Sequence, residues 1–249
     1  MNTSKLQAFA TDARRQLMNA VRARLDAALV PNSDAQIDDP RAFAFLQREI
    51  ERAGGGEEGR RHVVERYAYR WFNRIIAFRY MDVHGFTGTP VVSSAGLTST
   101  NGLPEVLAAA KRGEYDDNTV FSLRVNDKAK ERIEGLLSGS IMADDPQGRA
   151  YGLLLQSECR FWNHNLPFMF ESVGKEAGRV DELLMPADLL AEGSVLRNAV
   201  EVMTPEDCGV DDPSGNVEII GWLYQYYISE RKNEVMDGLR SEERRVGKE

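Results

Sequence analysis

The chain has 249 residues, of which 42% are hydrophobic and 28% charged, and its formal net charge at pH 7 is −8. This composition is that of a globular protein with one or two domains, and the acidic charge argues against a chain that coats nucleic acid through bulk positive charge. No apolar run is long enough to span a bilayer, and the charged first thirty residues argue against a secretory signal there, so we expect a cytoplasmic protein without membrane contact. The two cysteines are too few for a disulfide framework.

The front of the chain predicts two helices and then a glycine-rich break. Apolar residues at helical spacing predict a first helix over residues 4–29, ended by the segment that begins at Pro31. Its inward stripe consists of Leu6, Phe9, Leu17, Val21, Leu25 and Ala28. A shorter helix is predicted after Pro40, with an inward face of Phe43, Leu46 and Ile50. The segment "AGGGEEG" should be a flexible break, because three successive glycines carry a large backbone-entropy cost in a regular element.

A long third helix is predicted over residues 58–83, and it carries a row of arginines. One broad apolar arc of this helix consists of Val63, Val64, Tyr67, Trp71, Ile75 and Phe78. Arg66, Arg70 and Arg74 lie four residues apart along the edge of that arc, and residues 60–80 contain six arginines against one acid. The row could contact a DNA phosphate backbone. The competing interpretation, a solvated face paired with acids elsewhere in the chain, is favoured because no base-reading motif accompanies the charges.

Arg79 differs from that row because it falls inside the apolar arc. A guanidinium in such a position needs a carboxylate or carbonyl partner if it is buried. We therefore expect Arg79 to be largely buried and paired with an acid from another helix.

The rest of the chain predicts a loop and a second group of helices. Residues 86–103 are rich in Gly, Ser, Thr and Pro and predict a loop. Further helices are predicted over 104–111, 118–137, 147–172, 186–191 and 194–202, and "TPED" at Thr204 is a helix-start pattern. The expected fold is mainly α, with one or two helical bundles: a front bundle over 1–85 and a rear bundle over 104–239.

The last ten residues, 240–249, look like a non-native tail. They follow an apolar helix abruptly, have no apolar periodicity, and resemble an in-frame translation of a sequencing adapter. We therefore expect the natural reading frame to continue past Leu239.

No motif in the chain predicts a catalytic, cofactor-binding or metal site. The chain lacks a G-x-G-x-x-G, a phosphate-binding G-x-x-x-x-G-K-[ST] and a G-x-S-x-G segment. The three histidines and two cysteines are scattered, and structural roles are expected for them. Asp212, Glu230 and Lys232 form a weak nuclease-like pattern, but a loop and a solvated helix end explain it better than a Mg²⁺ site.

Several segments resemble a known family. "RYAYRWFNRIIAFRYMDVHGF", "SVLRNAVEVMTPEDC" and "VEIIGWLYQYYISERKNEV" resemble the amino-terminal region of the PglX family, the adenine-specific DNA methyltransferases of type 1 bacteriophage-exclusion (BREX) systems. "LLLQSECRFWNHNLPFMFE" and "DELLMPADLL" lie between them in the expected order. The resemblance covers most of residues 1–239.

The resemblance implies a function that this chain does not carry alone. Its family transfers a methyl group from S-adenosylmethionine to N6 of adenine in double-stranded DNA, and an α/β methyltransferase domain is expected to follow this region. The family's Asn-Pro-Pro-Tyr loop and glycine-rich cofactor motif are missing here, since the chain has no Pro-Pro dipeptide. No catalytic or cofactor-binding residue is therefore assigned. The alternatives are a non-catalytic helical module that docks other proteins of a BREX defence complex, and a nuclease that rests on Asp212, Glu230 and Lys232.

The aromatic segment after Val217 predicts a helix that is apolar nearly all round. We expect its inner side to be buried through Ile220, Leu223 and Tyr227. The remaining surface should meet the missing methyltransferase domain, so that the chain alone exposes an apolar patch and tends to self-associate.

Overall fold

The computed structural model describes residues 3–99, 102–114, 125–170, 176–210 and 217–229. Within these ranges the chain forms helices and no strand, which confirms the mainly α fold. The helices are α1 Thr3–Leu29, α2 Asp34–Asp38, α3 Pro40–Arg52, α4 Gly56–Val83, α5 Glu105–Lys111, α6 Asp127–Ser138, α7 Pro146–Asn163, α8 Glu176–Leu183 and α9 Val195–Val202, with a further helix, α10, over 218–229. None of the described helices is long and apolar enough to cross a membrane.

The predicted inward faces of the first long helices are confirmed. All six stripe residues of α1 and the three of α3 are buried, and so is the whole apolar arc of α4. Helices α1 and α3 each pack on α4, because each buries its apolar side against that helix. The periodicity in the sequence was sufficient to identify the core side of each helix.

The glycine segment between α3 and α4 is an ordered turn rather than the flexible break that the sequence predicts. Gly54 and Gly55 have φ angles of 114° and 68°, and their N–H groups donate to Glu51 and Ile50 carbonyls, as in a Schellman C-cap. Gly59 then lies against α3, where an added Cβ would be 2.1 Å from the Ile50 oxygen. Glycine is thus required here by left-handed backbone and close helix contact, rather than by a need for flexibility.

Helix boundaries in the rear half depart from the predictions. Helix α7 ends at Asn163 rather than near residue 172, and Pro167 follows, which cannot continue a helical hydrogen-bond ladder. Residues 186–191 form turns, and so does the segment after Thr204, although the Thr204 hydroxyl accepts the Asp207 N–H as predicted for a cap. Helix α8 was not predicted, because an eight-residue helix depends on tertiary contacts more than on its own pattern.

Helices on both sides of the 86–103 loop share one hydrophobic core. Helix α8 packs on α3, and α9 packs on α1 and α4, while α5, α6 and α7 pack with one another. The division into 1–85, 86–103 and 104–239 stays a prediction about chain organisation. Residues 240–249, proposed as a non-native tail, lie outside the described residues.

Helix α10 buries one side through residues four apart. Ile219, Leu223 and Tyr227 are buried, and the Tyr227 ring lies 4.5 Å from the Phe72 ring of α4. Ile220, predicted to be buried, is only half-buried, because the buried stripe starts one residue earlier. The helix is also less uniformly apolar than predicted: Glu218, Gly221, Gln225 and Ser229 form an exposed stripe.

Candidate functional site

The side chains of the arginine row of α4 become progressively more buried from Arg66 to Arg74. The side chains of Arg66, Arg70 and Arg74 are 44%, 20% and 2% exposed. Arg66 pairs with Glu49 of α3, a residue whose own side chain is largely covered. Only Arg66 therefore presents its guanidinium substantially to solvent.

Arg70 and Arg74 converge on a single buried carboxylate. Arg74 Nη2 donates to Asp181 Oδ2 at 2.8 Å, and Arg70 Nη1 lies 3.4 Å from Asp181 Oδ1. Each arginine also makes a cation–π contact. The guanidinium carbon of Arg70 lies 4.9 Å from the ring centroid of Tyr67, and that of Arg74 lies 4.9 Å from the ring centroid of Trp71. Burial lowers the pKa of Arg74, but the Asp181 carboxylate overcomes that effect and raises it above its ordinary value.

Asp181 belongs to a helix that is held by polar contacts to four others. Besides Asp181, the short helix α8 places Glu182 against Arg160 of α7 and the Leu183 carbonyl 3.1 Å from Arg24 of α1. Arg179 of α8 pairs with Asp39 at the start of α3.

The buried Arg70–Arg74–Asp181 cluster thus lies at the junction between the front helices and α8. Whether the row contacts DNA stays a prediction, but in this conformation Arg74 cannot reach a phosphate in solution.

Arg79 forms a second buried cluster, and its partners correct the expectation of an acid. Arg79 is fully buried, as predicted. Its guanidinium donates to the carbonyls of Met203 at 2.9 Å, Leu97 at 2.7 Å and Val200 at 3.3 Å, and to Ser93 Oγ at 2.8 Å.

Backbone carbonyls can replace a carboxylate as the partners of Arg79 because two of them lie at the C-terminal end of α9. Met203 is the C-cap of α9 and Val200 is in its last turn, so their carbonyls have no intrahelical partner and carry the negative end of the helix dipole. A cation placed there is stabilised electrostatically and completes the hydrogen bonding of the helix end. Arg79 of α4 therefore caps α9 from the side.

Asp82, which the sequence analysis missed, organises the 86–103 loop from the same helix. Its carboxylate is buried and accepts N–H groups of Val91, Val92 and Ser93 at 2.8–2.9 Å, together with the Thr87 hydroxyl at 2.9 Å. Burial raises the pKa of the Asp82 carboxyl, and these donated hydrogen bonds oppose that shift. The sequence pattern that could have predicted this role is an acid in the last turn of a helix, followed by a Thr- and Ser-rich loop.

The predicted loop is consequently part of the core. Val91, Val92 and Ser93 are buried, and Tyr151 of α7 donates its hydroxyl to the Val91 carbonyl at 3.1 Å. A buried loop must have its backbone groups paired, and side chains of Asp82 and Tyr151 supply the partners. The loop therefore contacts α4 through Asp82 and α7 through Tyr151.

The histidines and cysteines take part in structural contacts. Ring nitrogens of His62, His84 and His164 lie 3.0–3.3 Å from backbone carbonyls, to which each must donate a proton. Burial raises the pKa of both Cys159 and Cys208 to about 12, so these thiols stay protonated and poorly nucleophilic at neutral pH. Among the described residues no three His, Cys, Asp or Glu side chains converge as metal ligands would. Asp212, Glu230 and Lys232 lie outside the described residues.

An open groove of about 650 Å³ runs between α1, α2, α7 and α8. Several of its acids are already engaged: Asp145 accepts the Gly148 N–H, Asp39 pairs with Arg179, and Glu182 pairs with Arg160. Among the described residues that line it, the groove offers a mixed-charge surface without a histidine, lysine or cysteine.

Comparisons with known proteins identify relatives over most of the chain. It is 32% identical over 258 residues to the adenine-specific methyltransferase BrxX of Escherichia coli O9:H4 (strain HS), an alignment that covers 95% of this chain and 19% of BrxX. It is 33% identical over 175 residues to the adenine-specific methyltransferase PglX of Lacticaseibacillus casei (strain Zhang), covering 69% of this chain and 13% of PglX. No protein-family model matches the chain. These comparisons confirm the resemblance, and the chain spans at most about a fifth of the length of these curated relatives.

Proposed function

The chain is a relative of the adenine-specific methyltransferases BrxX and PglX, and on that basis we propose that it forms the helical amino-terminal part of a longer adenine-specific DNA methyltransferase. The observation that carries the proposal is a similarity to BrxX extending over 95% of the chain. The parent protein would transfer a methyl group from S-adenosylmethionine to N6 of adenine in double-stranded DNA, as a cytoplasmic component of a BREX anti-phage defence system.

The proposed role of this part is to support the enzyme rather than to catalyse the reaction. Methylation of N6 requires the adenine to leave the base stack and enter a pocket that reads its edge. The absence of a strand followed by a glycine-rich turn among the described residues supports a cofactor site elsewhere in the parent, and so does the engagement of three groove acids, Asp39, Asp145 and Glu182, with other groups of the chain. Cofactor and adenine would therefore be held by other parts of the parent.

We expect the parent to methylate adenine in DNA and this chain alone not to do so, and expression of the two in bacteria tests this directly. The gene read past residue 239 and the chain of 249 residues are expressed separately in a host that lacks adenine methylation. We expect N6-methyladenine at a defined sequence only with the parent, and calorimetry of the chain alone should show no saturable binding of S-adenosylmethionine.

Two outcomes would contradict this proposal. A parent that leaves the host DNA unmodified would remove the methyltransferase assignment. Micromolar binding of S-adenosylmethionine to the chain alone would show that the cofactor site lies within it.

Arg66 is the residue of the α4 row that we propose as a DNA-backbone contact, with Arg70 and Arg74 behind it as support. Its guanidinium is 44% exposed, and Glu49 competes for it. Arg66→Gln in the parent should weaken binding to all DNA sequences alike and reduce the salt slope of binding by about 1, the value for one phosphate contact. Glu49→Gln should have the opposite effect on affinity.

The control for this measurement is Arg15→Gln, since Arg15 of α1 is 71% exposed and pairs only locally with Asp12. A salt slope that is the same for Arg66→Gln, Arg15→Gln and the unmodified parent would show that Arg66 does not contact phosphate. The row would then serve packing alone.

A non-catalytic module that docks other proteins of a BREX complex is the second candidate function. The exposed side of α10, where Trp222 is 36% exposed, favours it. The methylation test separates the two, because a docking module would leave DNA unmodified in every form.

A further inference from the structure

The outward side of α10 has two apolar flanks with a narrow stripe between them. Trp222 and Tyr226 form one flank, with ring centroids 6.0 Å apart, and Val217 and Ile228 are exposed on the other. In the stripe, Gly221 has open space where a Cβ would lie, with no atom within 4 Å. A partner element could therefore approach the helix backbone closely between the flanks.

The composition of this side is that of a protein interface. Glu218 is the one charged residue in 218–229, and the outward side carries the aromatic residues Trp222 and Tyr226. Depletion of charge and enrichment in Trp and Tyr distinguish the buried centres of interfaces from other surface. The inner side of the same helix is already used, because Ile219, Leu223 and Tyr227 are buried in the core.

The geometry points to one occupant: we propose that the remaining part of the parent polypeptide docks on the outward side of α10, with Trp222 as its anchor. This rests on the proposed function in that it requires the chain to be part of a longer protein. The relatives extend far beyond the aligned region, which is 19% of BrxX. In the proposed parent, a segment joined to this region by a short flexible linker would have an effective concentration in the millimolar range, which would favour it over a partner from solution.

A second copy of the chain is a poorer occupant on charge grounds. Each copy carries a formal charge of −8, so two copies repel one another when they approach. The docking element of the parent should instead offer an apolar recess for the indole and an acceptor for the Trp222 Nε1–H, since a buried indole N–H needs a partner.

Hydroxyl-radical footprinting of the chain and of the parent, at the same low concentration, tests the proposal. We expect Trp222 to be oxidised about fivefold more slowly in the parent, because interface centres are packed as densely as protein interiors. Met142, which is 92% exposed in the connection between α6 and α7, is the internal control and should be oxidised equally in both. Equal oxidation of Trp222 in both would overturn the proposal.

Substitutions in the parent give an independent measurement. Trp222→Glu and Ile228→Glu should each lower the thermal midpoint of the parent more than that of the chain alone, whereas Met142→Glu should affect neither. Protection of Trp222 in the parent that grows with concentration would identify a second copy as the occupant and would contradict the proposal. If Trp222 is protected in a parent that does not methylate DNA, the docking proposal stands and the proposed function is wrong. Failure of docking can therefore be distinguished from failure of the proposed function.

Discussion

Arg79→Met should lower the free energy of unfolding of the chain by about 3 kcal/mol, because it removes the donor of three buried acceptors and one part-buried acceptor. Three of these acceptors are carbonyls, those of Val200, Met203 and Leu97, and the fourth is Ser93 Oγ. Two of the carbonyls end α9, and Leu97 has a left-handed φ of 61°, a conformation that needs support from its surroundings. Urea denaturation followed by circular dichroism measures the loss.

Two further variants separate the guanidinium's geometry from its charge. Arg79→Lys keeps the cation but cannot reach all four acceptors from one ammonium group, so it should restore only part of the stability. Arg15→Met makes the same chemical change at a side chain that is 71% exposed and should alter stability by less than about 0.5 kcal/mol. An unchanged unfolding midpoint for Arg79→Met would mean that Arg79 reaches solvent, and it would then become a candidate for DNA contact.

Asp181→Ala is expected to destabilise the protein by about 3–5 kcal/mol, because it removes a buried carboxylate that pairs with the buried cation of Arg74. The Arg74–Asp181 pair is 2–3% exposed at both side chains, and Asp181 also approaches Arg70 at 3.4 Å. Thermal unfolding and urea denaturation should both report the loss. Asp26→Ala changes the same residue type on the exposed side of α1 and should have little effect.

A double substitution distinguishes an uncompensated charge from a lost contact. Replacing both members, in Arg74→Met with Asp181→Leu, removes the charges together and should recover most of the stability that Asp181→Ala loses, since apolar residues of similar size often replace a buried ion pair without cost. If the double variant is no more stable than Asp181→Ala, the cluster contributes through hydrogen bonding and shape rather than through charge balance.

The arginine row shows that a sequence pattern can predict the side of a helix on which residues lie but not how deeply each one is buried. The four-residue spacing placed Arg66, Arg70 and Arg74 on one side of α4, and the structure has them there. The pattern could not show that their accessibility falls from 44% to 2% along the row. Asp181 of α8, a helix that the pattern did not predict, meets Arg70 and Arg74, whereas Arg66 pairs with Glu49 of α3.

The glycine- and serine-rich loop illustrates a different limit. Its composition correctly predicted that the described residues 86–99, 102 and 103 form no helix or strand, but it did not predict that part of the loop would be buried. In the structure the Asp82 carboxylate and the Tyr151 hydroxyl satisfy the loop's backbone groups, and this allows Val91 and Val92 to be buried. A polar composition predicts a loop, but only the side chains available around it decide whether the loop can enter a core.

The sequence by itself determined the helical class, the inward side of each long helix and the relationship to adenine-specific methyltransferases. Helical periodicity is a local property, so the core stripes of α1, α3 and α4 could be identified from one segment at a time. Only the tertiary structure decided the partners of the buried charges. Arg74 meets Asp181 across 107 residues of sequence, and Arg79 meets the end of α9 across more than 120. The physical reason is that a buried cation requires compensation but accepts either a carboxylate or the carbonyls of a helix end, and the packing of distant helices decides which of them lies within reach.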